Sequence, residues 1–186
     1  MSTLQIIKID KQNKNNTILS NETTQTFEEF AKQIYTDYFP TDERRVWEDF
    51  VSIMENDNRF SLYIIRDEDN YYGIVTVWKF EEFIYIEHFA IKTVFRNKSI
   101  GSHVLDLLKQ TYSMPIVLEI EPPTDDITTR RKNFYQRNGF LLLDNHYMQP
   151  SYHKDSAQVE MKVMTTNNAI PFEKIKQTLY KYVYFQ

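Results

Sequence analysis

The sequence predicts an α+β fold, with a mixed, predominantly antiparallel central sheet flanked by helices. Residues 83–91 carry β-branched and aromatic side chains on both faces, which is typical of a strand that is covered on both sides. Residues 100–108 place apolar side chains at helical spacing, so a strand, a turn and a helix follow one another directly. Strand-like and helix-like segments surround this unit in mixed order, without an internal repeat. This order favours an α+β fold.

The first part of the chain is predicted to form one strand and two helices. Residues 4–9 have the pattern of a strand, and residues 10–25, rich in Asn, Lys and Thr, have that of a loop. Thr26 begins a capping box that opens the first helix. The second helix is expected to start at Thr41 or Asp42. The apolar stripes are Phe27, Phe30, Ala31, Ile34 and Tyr38 in the first helix and Val46, Trp47, Phe50, Val51 and Met54 in the second.

A hairpin and a second strand-helix unit are predicted for the middle of the chain. Residues 60–65 and 72–80 are strand-like, and the acidic turn between them marks an antiparallel hairpin. Beyond the central unit, residues 115–120 are predicted as a strand. A helix follows, capped at residues 124–126 and stopped by the Asn-Gly pair at 138–139.

The last third of the chain is predicted to add two strands and a helix. The strands are residues 140–147 and 159–164, and the helix covers about residues 171–185. This helix is expected to pack on the domain or on a second copy of the chain in a homodimer. The whole chain, residues 1–186, is predicted to be a single domain, since this length can bury a sizeable core.

The composition disfavours several classes of function. The net charge is -4 without a Lys/Arg cluster, so a nucleic acid is not an expected partner. No apolar run approaches a membrane span and no signal segment opens the chain, so no membrane partner is expected. The absence of cysteine excludes thiolate nucleophiles and cysteine metal sites, and favours a cytoplasmic location. The histidines show no metal-ligand spacing, so no metal is expected.

The turn at residues 96–102 has the features of an anion site. Ser99 and Ser102 can cap the helix, but its first turn has no Asp or Glu to complement the helix dipole. Arg96 and Lys98 stand just before the helix, and Gly101 lets a ligand approach the backbone closely. Free N–H groups beside cations suit phosphates. The alternative is an ordinary strand-to-helix turn with solvated basic side chains.

Two segments resemble the GNAT N-acetyltransferase superfamily. Residues 86–91 with 96–102 are similar to its acetyl-CoA motif, Arg/Gln-x-x-Gly-x-Gly/Ala, in which loop amides hold the pyrophosphate and the preceding strand pairs with the pantetheine arm. Ser99 stands at the first glycine of that motif. Residues 133–140 are similar to the family's Phe-Tyr-x-x-x-Gly-Phe segment. The family often has an Asn seven residues before this Tyr and a small residue four before it, where this chain has Thr128 and Arg131.

The resemblance implies a GNAT-type fold and an acyl-CoA N-acyltransferase. The enzyme would transfer an acetyl group from acetyl-CoA, its co-substrate, directly to a primary amine of a small molecule or peptide. The alternative is a non-catalytic CoA-binding sensor or interaction module on the same fold. The implied cofactor-binding residues are Phe89, Ala90, Ile91, Arg96, Asn97, Lys98, Ser99, Ile100, Gly101, Ser102 and Asn133.

Acyl transfer to an amine needs a base for the amine and an acid for the leaving thiolate. The resemblance implies Glu87 on the central strand as the base and Tyr135 as the acid for the CoA sulfur. Each role has an alternative. Glu87 can be paired with a cation, since buried carboxylates rarely stay unpaired. Tyr135 can be a packing aromatic at the end of a helix.

Two further carboxylates could contact the substrate. Glu119 and Glu121 lie two apart on a predicted strand, so their side chains point to one face. They can hold a cationic substrate, or they can pair with Arg130 and Arg131 of the next helix. Tyr147 lies in a segment that resembles one bordering the acceptor site in some family members.

Overall fold

The computed structural model describes residues 3–19, 24–143, 145–153 and 156–185. Its helices are α1 (Phe27–Tyr38), α2 (Trp47–Asn56), α3 (Ile100–Thr111), α4 (Asp126–Arg137) and α5 (Phe172–Tyr182). Its strands are β1 (Gln5–Ile9), β2 (Thr17–Leu19), β3 (Thr24–Thr26), β4 (Phe60–Arg66), β5 (Tyr71–Lys79), β6 (Ile84–Ile91), β7 (Ile116–Ile120), β8 (Leu141–Leu142), β9 (Tyr147–Gln149) and β10 (Val159–Thr165). Mixed sheet pairing flanked by helices confirms the predicted fold class. Within the described ranges, no helix is both long enough and apolar enough to span a membrane.

The chain divides into two compact units. The first unit comprises Met1–Lys79 and Glu87–Tyr112, and the second comprises Phe80–Ile86 and Ser113–Gln186. Strand β6 therefore contributes its first three residues to the second unit and the rest to the first.

The sheet of the first unit is built on the β4–β5 hairpin. These strands pair antiparallel from Phe60–Trp78 to Arg66–Tyr71, which confirms the hairpin, and β1 pairs antiparallel with β4. Strand β5 approaches β6 so closely at Gly73 that a Cβ there would lie 1.9 Å from the Ala90 carbonyl oxygen. Only glycine fits this position, because any other side chain would displace backbone.

Helix α1 starts as predicted and helix α2 does not. The Thr26 hydroxyl accepts a hydrogen bond from the Glu29 N–H at 3.1 Å, and the Glu29 carboxylate accepts one from the Thr26 N–H at 2.7 Å. The expected start of α2 at residues 41–42 is wrong, because a short 3-10 turn covers Thr41–Glu43 and extended backbone leads to Trp47. The extended backbone allows Arg45 to bury its side chain. Val46, predicted to be apolar core, is 46% exposed.

The predicted loop at residues 10–25 contains secondary structure. Strands β2 and β3 pair antiparallel, from Thr17–Thr26 to Leu19–Thr24. Each strand has only three residues, which is too short for a periodic pattern to stand out. Residues 20–23 of this segment lie outside the described residues.

The sheet of the second unit combines parallel and antiparallel pairs. The first part of β6 pairs parallel with β7, from Ile84–Ile116 to Ile86–Leu118, and β10 pairs antiparallel with β7, β8 and β9. The single strand predicted at residues 140–147 is wrong, since β8 and β9 pair with different parts of β10. The predicted stop of α4 is confirmed by Gly139, whose φ of 81° suits glycine.

Candidate functional site

The turn before α3 contains two residues in the left-handed region. Asn97 has φ 62° and Ser99 has φ 61°. Asparagine enters this region readily, whereas another side chain does so at a cost of roughly 1–2 kcal/mol. Ser99 therefore takes the conformation for which the motif's glycine is suited. Its side chain makes no capping hydrogen bond to the helix.

The electrostatic environment at the N-terminus of α3 favours an anion. Its first turn has no acidic residue, and its first N–H groups have no intrahelical acceptor. Arg96 is exposed, and its Nε donates to the Ile91 carbonyl at 3.3 Å. The exposed Lys98 has its Nζ 5.4 Å from the Phe95 ring centroid. Two cations beside free N–H groups fit the diphosphate of a nucleotide cofactor.

The end of β6 lies in the same unit as this turn. Ala90 is buried, and Phe89 and Ile91 are half-buried. Ile100 is buried at the start of α3, whereas Gly101 and Ser102 are half-buried. The first unit therefore contains the whole predicted cofactor set except Asn133. That residue is half-buried on α4, in the second unit.

Glu87 lies on β6 with a fully buried carboxylate. Its Oε1 accepts a short hydrogen bond from the Arg45 guanidinium, and its Oε2 accepts one from Trp78 Nε1 at 2.9 Å. His88 Nδ1 lies 3.7 Å from Oε2. The side chains of Arg45 and Glu87 are 6% and 0% exposed, so this is a buried ion pair.

The surroundings of Glu87 keep it ionised. Burial would raise the pKa of this carboxyl, but the Arg45 guanidinium and His88 together outweigh burial and hold the pKa well below its usual range. A carboxylate whose conjugate acid has a low pKa is a weak base. The geometry therefore favours the pairing with a cation that the sequence left as an alternative. Sequence reasoning missed Arg45, since an arginine 42 residues away in the chain leaves no local signal.

Tyr135 is buried near the end of α4. Its ring lies 5.1 Å from that of Phe134 and 5.5 Å from that of Phe140, between ring centroids. Burial raises the pKa of Tyr135 to about 12, so the hydroxyl keeps its proton at neutral pH. A protonated hydroxyl can donate a hydrogen bond to a thiolate, but full transfer of its proton is uphill because the ordinary pKa of a thiol, about 8.5, is lower than that of Tyr135.

The two remaining carboxylates have different surroundings. Glu121 forms an ion pair with Arg131, which is one of the pairings that the sequence left open. Glu119 pairs with neither arginine. Its Oε2 accepts hydrogen bonds from the buried residues Tyr85 and Tyr184 and from Gln149. Tyr147 is fully buried close to the same carboxyl.

Comparison with known proteins identifies relatives of the chain. The model of the acetyltransferase (GNAT) family matches residues 24–140. A protein assigned to the GNAT acetyltransferase family, from Bacteroides thetaiotaomicron, shares 31% identity at a TM-score of 0.86, over 97% of this chain and 98% of that protein. No curated protein matches the chain.

Two structures with bound acetyl-CoA share the fold at lower identity. Arabidopsis thaliana NAA60 in complex with acetyl-CoA has a TM-score of 0.58 and 14% identity, over 88% of this chain and 97% of that protein. A GNAT family acetyltransferase from Elizabethkingia anophelis with acetyl-CoA bound has a TM-score of 0.54 and 14% identity, over 88% and 97%.

Proposed function

This chain belongs to the acetyltransferase (GNAT) family, and on that premise we propose that it transfers an acetyl group from acetyl-CoA directly to a primary amine. The observation that carries the proposal is the turn at residues 96–102, where free helix N–H groups stand beside two exposed cations. The acetyl-CoA bound to NAA60 and to the E. anophelis acetyltransferase, which share the fold, supports the choice of co-substrate.

The first unit would supply most of the cofactor contacts. The N–H groups at the start of α3 would hold the pyrophosphate, with Arg96 and Lys98 offsetting its charge. Residues 89–91 would pair with the pantetheine arm, and a backbone N–H of this segment would stabilise the oxyanion. Asn133 stays a predicted cofactor contact. When bound, acetyl-CoA supplies an activated thioester.

Transfer would be direct, since a chain without cysteine forms no acyl-cysteine intermediate. The neutral amine attacks the thioester carbon, and the departing thiolate needs a proton. Tyr135 is our candidate for the group that donates it, since it is protonated at neutral pH. Glu87 stays a predicted base, but its ion pair with Arg45 argues against a direct proton transfer. A non-catalytic CoA-binding module, the alternative considered above, is not favoured by membership of this family.

Several expectations from the sequence remain predictions. The family model spans residues from both compact units, which supports our proposal of a single domain. The cytoplasmic location and a homodimer contact of α5 are also predictions.

The proposal is tested by the thermal stability of the full chain with and without acetyl-CoA. A ligand at a hundred times its Kd stabilises a protein by about 2.7 kcal/mol, which is a clear rise in Tm. We expect this rise in the wild type and its loss in Gly101→Glu, which places a carboxylate at the phosphate end of α3. Gln110→Glu, at the exposed far end of the same helix, is the control and should keep the rise. No rise at saturating acetyl-CoA in the wild type would contradict the proposal.

A further inference from the structure

The Tyr38 side chain, at the end of α1, contacts the segment that leads into the turn before α3. Its hydroxyl accepts a hydrogen bond from the Thr93 N–H at 2.8 Å and lies 3.4 Å from the Thr93 hydroxyl oxygen. Thr93 begins a 3-10 turn that ends at Phe95, and the Arg96 N–H donates to the Thr93 carbonyl at 3.1 Å. All of these residues belong to the first unit. A side chain 55 residues away in sequence therefore fixes the backbone just before residues 96–102.

The Tyr38 ring also contacts Arg96, which is one of the two cations beside the N-terminus of α3. The central carbon of the Arg96 guanidinium lies over the ring, 5.6 Å from its centroid. A guanidinium within about 6 Å of an aromatic centroid is attracted to the ring. Nε of Arg96 donates to the Ile91 carbonyl at 3.3 Å. The Arg96 side chain is therefore held at two places, by the ring below its guanidinium and by the hydrogen bond of Nε.

The terminal nitrogens of Arg96 keep their N–H groups for a ligand. Among the described residues, no carboxylate forms an ion pair with Arg96, and neither terminal nitrogen donates a hydrogen bond. A guanidinium presents its N–H groups in a rigid fork that matches the oxygens of a phosphate. A side chain that is ordered before binding loses less conformational entropy when the ligand arrives. An exposed but ordered guanidinium with free terminal N–H groups therefore fits a phosphate that enters from solvent.

The backbone that follows Thr93 is strained and needs such restraints. Asn97 and Ser99 both lie in the left-handed region, with φ of 62° and 61°. Residues in this region persist where the surrounding structure holds the backbone in place. Tyr38 provides one restraint, and Tyr72 provides another, since its ring centroid lies 4.8 Å from that of Phe95. The sequence predicted Tyr38 only as part of the apolar stripe of α1, and no local pattern indicated its contact with this turn.

We propose that Tyr38 is a positioning residue for the diphosphate of acetyl-CoA. Its hydroxyl fixes the backbone at Thr93, and its ring orients the Arg96 guanidinium so that the free terminal nitrogens donate to phosphate oxygens. Tyr38 acts through these two residues and contacts no reacting atom, so its loss weakens the binding of the co-substrate. The inference rests on the acetyl transfer proposed above, and it adds a residue outside the turn at 96–102 to the recognition of acetyl-CoA.

The test is a double-mutant cycle on the Kd of acetyl-CoA, measured by isothermal titration with the full chain. Tyr38→Phe keeps the ring and loses the hydroxyl, whereas Tyr38→Leu loses both. We expect Kd to rise about threefold for Tyr38→Phe and about tenfold for Tyr38→Leu. Arg96→Gln supplies the second background, because the family motif accepts Arg or Gln at this position. In that background Tyr38→Leu should raise Kd only about threefold, since no guanidinium is left for the ring to orient.

A matched control and a second ligand complete the test. Tyr63→Phe removes a hydroxyl of the same unit that lies 2.6 Å from the Tyr112 hydroxyl, at the other end of α3, and its Kd should stay within about twofold of the wild type. S-acetyl-3′-dephospho-CoA keeps the diphosphate, so both Tyr38 variants should raise its Kd by the same factors. Urea unfolding without ligand verifies that each variant is folded. If Tyr38→Leu does not fold, Tyr38→Phe is compared with Tyr63→Phe, and equal Kd values for these two would overturn the inference.

Each other outcome overturns a specific statement. An equal rise in Kd for Tyr38→Leu in both backgrounds would mean that the ring does not act through Arg96, and the inference would be wrong. Wild-type affinity in both Tyr38 variants would overturn it as well and leave the binding of acetyl-CoA standing. A loss that disappears with S-acetyl-3′-dephospho-CoA would assign the effect to the 3′-phosphate and refute the role at the diphosphate. No binding of acetyl-CoA to the wild type would contradict the proposed function itself, and with it the inference.

Discussion

Removal of Arg45 should destabilise the protein strongly, because it leaves the Glu87 carboxylate buried without its cation. The two side chains are 6% and 0% exposed, so water cannot replace the guanidinium. Breaking a buried ion pair from one side costs about 3–5 kcal/mol. At roughly 2–4 °C per kcal/mol for a chain of this size, Arg45→Met should lower Tm by about 10 °C.

The wild type and Arg45→Met should differ in how their stability depends on pH. In the wild type the pKa of Glu87 is lowered on folding, so its stabilisation is present above the unfolded pKa of about 4.3 and is lost as pH falls below it. In Arg45→Met the guanidinium is gone, so burial, which raises the pKa of the carboxyl, is opposed only by His88 and by the Trp78 hydrogen bond. Between pH 7 and pH 5 the variant should bind a proton at Glu87. The difference between its free energy of unfolding and that of the wild type should therefore be smaller at pH 5 than at pH 7.

Urea unfolding at pH 7 and pH 5 measures both effects. The double variant Arg45→Met/Glu87→Gln should be more stable than Arg45→Met alone, because the uncompensated charge is gone. Arg131→Met is the matched control, since it breaks an Arg–Glu pair whose side chains are 44% and 30% exposed and should cost at most about 1 kcal/mol. If Arg45→Met costs no more than this control, the account of a buried, charge-dependent pair is refuted.

Three other substitutions test separate features of the structure. Ser99→Gly should relieve the strain of the left-handed backbone at this residue and raise the free energy of unfolding in urea by about 1 kcal/mol. Isothermal titration should show tighter binding of acetyl-CoA to this variant. Weaker binding would contradict the conformation assigned to Ser99. Gly73→Ala should destabilise by at least about 2 kcal/mol, since its Cβ would meet the Ala90 carbonyl, and an unchanged Tm would be incompatible with that contact. Tyr135→Phe should lower kcat by about 10²-fold at unchanged KM if the hydroxyl protonates the thiolate, and full activity would remove it from the mechanism.

Local patterns in the sequence predicted many of the elements. The Thr26 capping box, the acidic hairpin turn and the Gly139 stop were predicted correctly, because each depends on groups within three or four residues of one another. The strand-turn-helix motif also depends on neighbouring residues. Its resemblance to the GNAT family is confirmed by the family model and by the B. thetaiotaomicron relative.

Tertiary structure decided where the elements shift and which charges meet. The start of α2 moves to Trp47 while Arg45, just before it, buries its side chain against Glu87, a contact 42 residues distant in sequence. The segment at residues 140–147 does not form one strand, because β8 and β9 pair with different parts of β10.

The same distinction applies to the carboxylates. The resemblance to the GNAT family made Glu87 a candidate base, and the strand spacing made Glu119 a candidate for substrate binding. Their environments differ in sign, since Arg45 and His88 lower the pKa of Glu87 and burial raises the pKa of Glu119. Those partners come from distant strands and helices, so the proton affinity of each carboxyl depends on packing that no local pattern encodes.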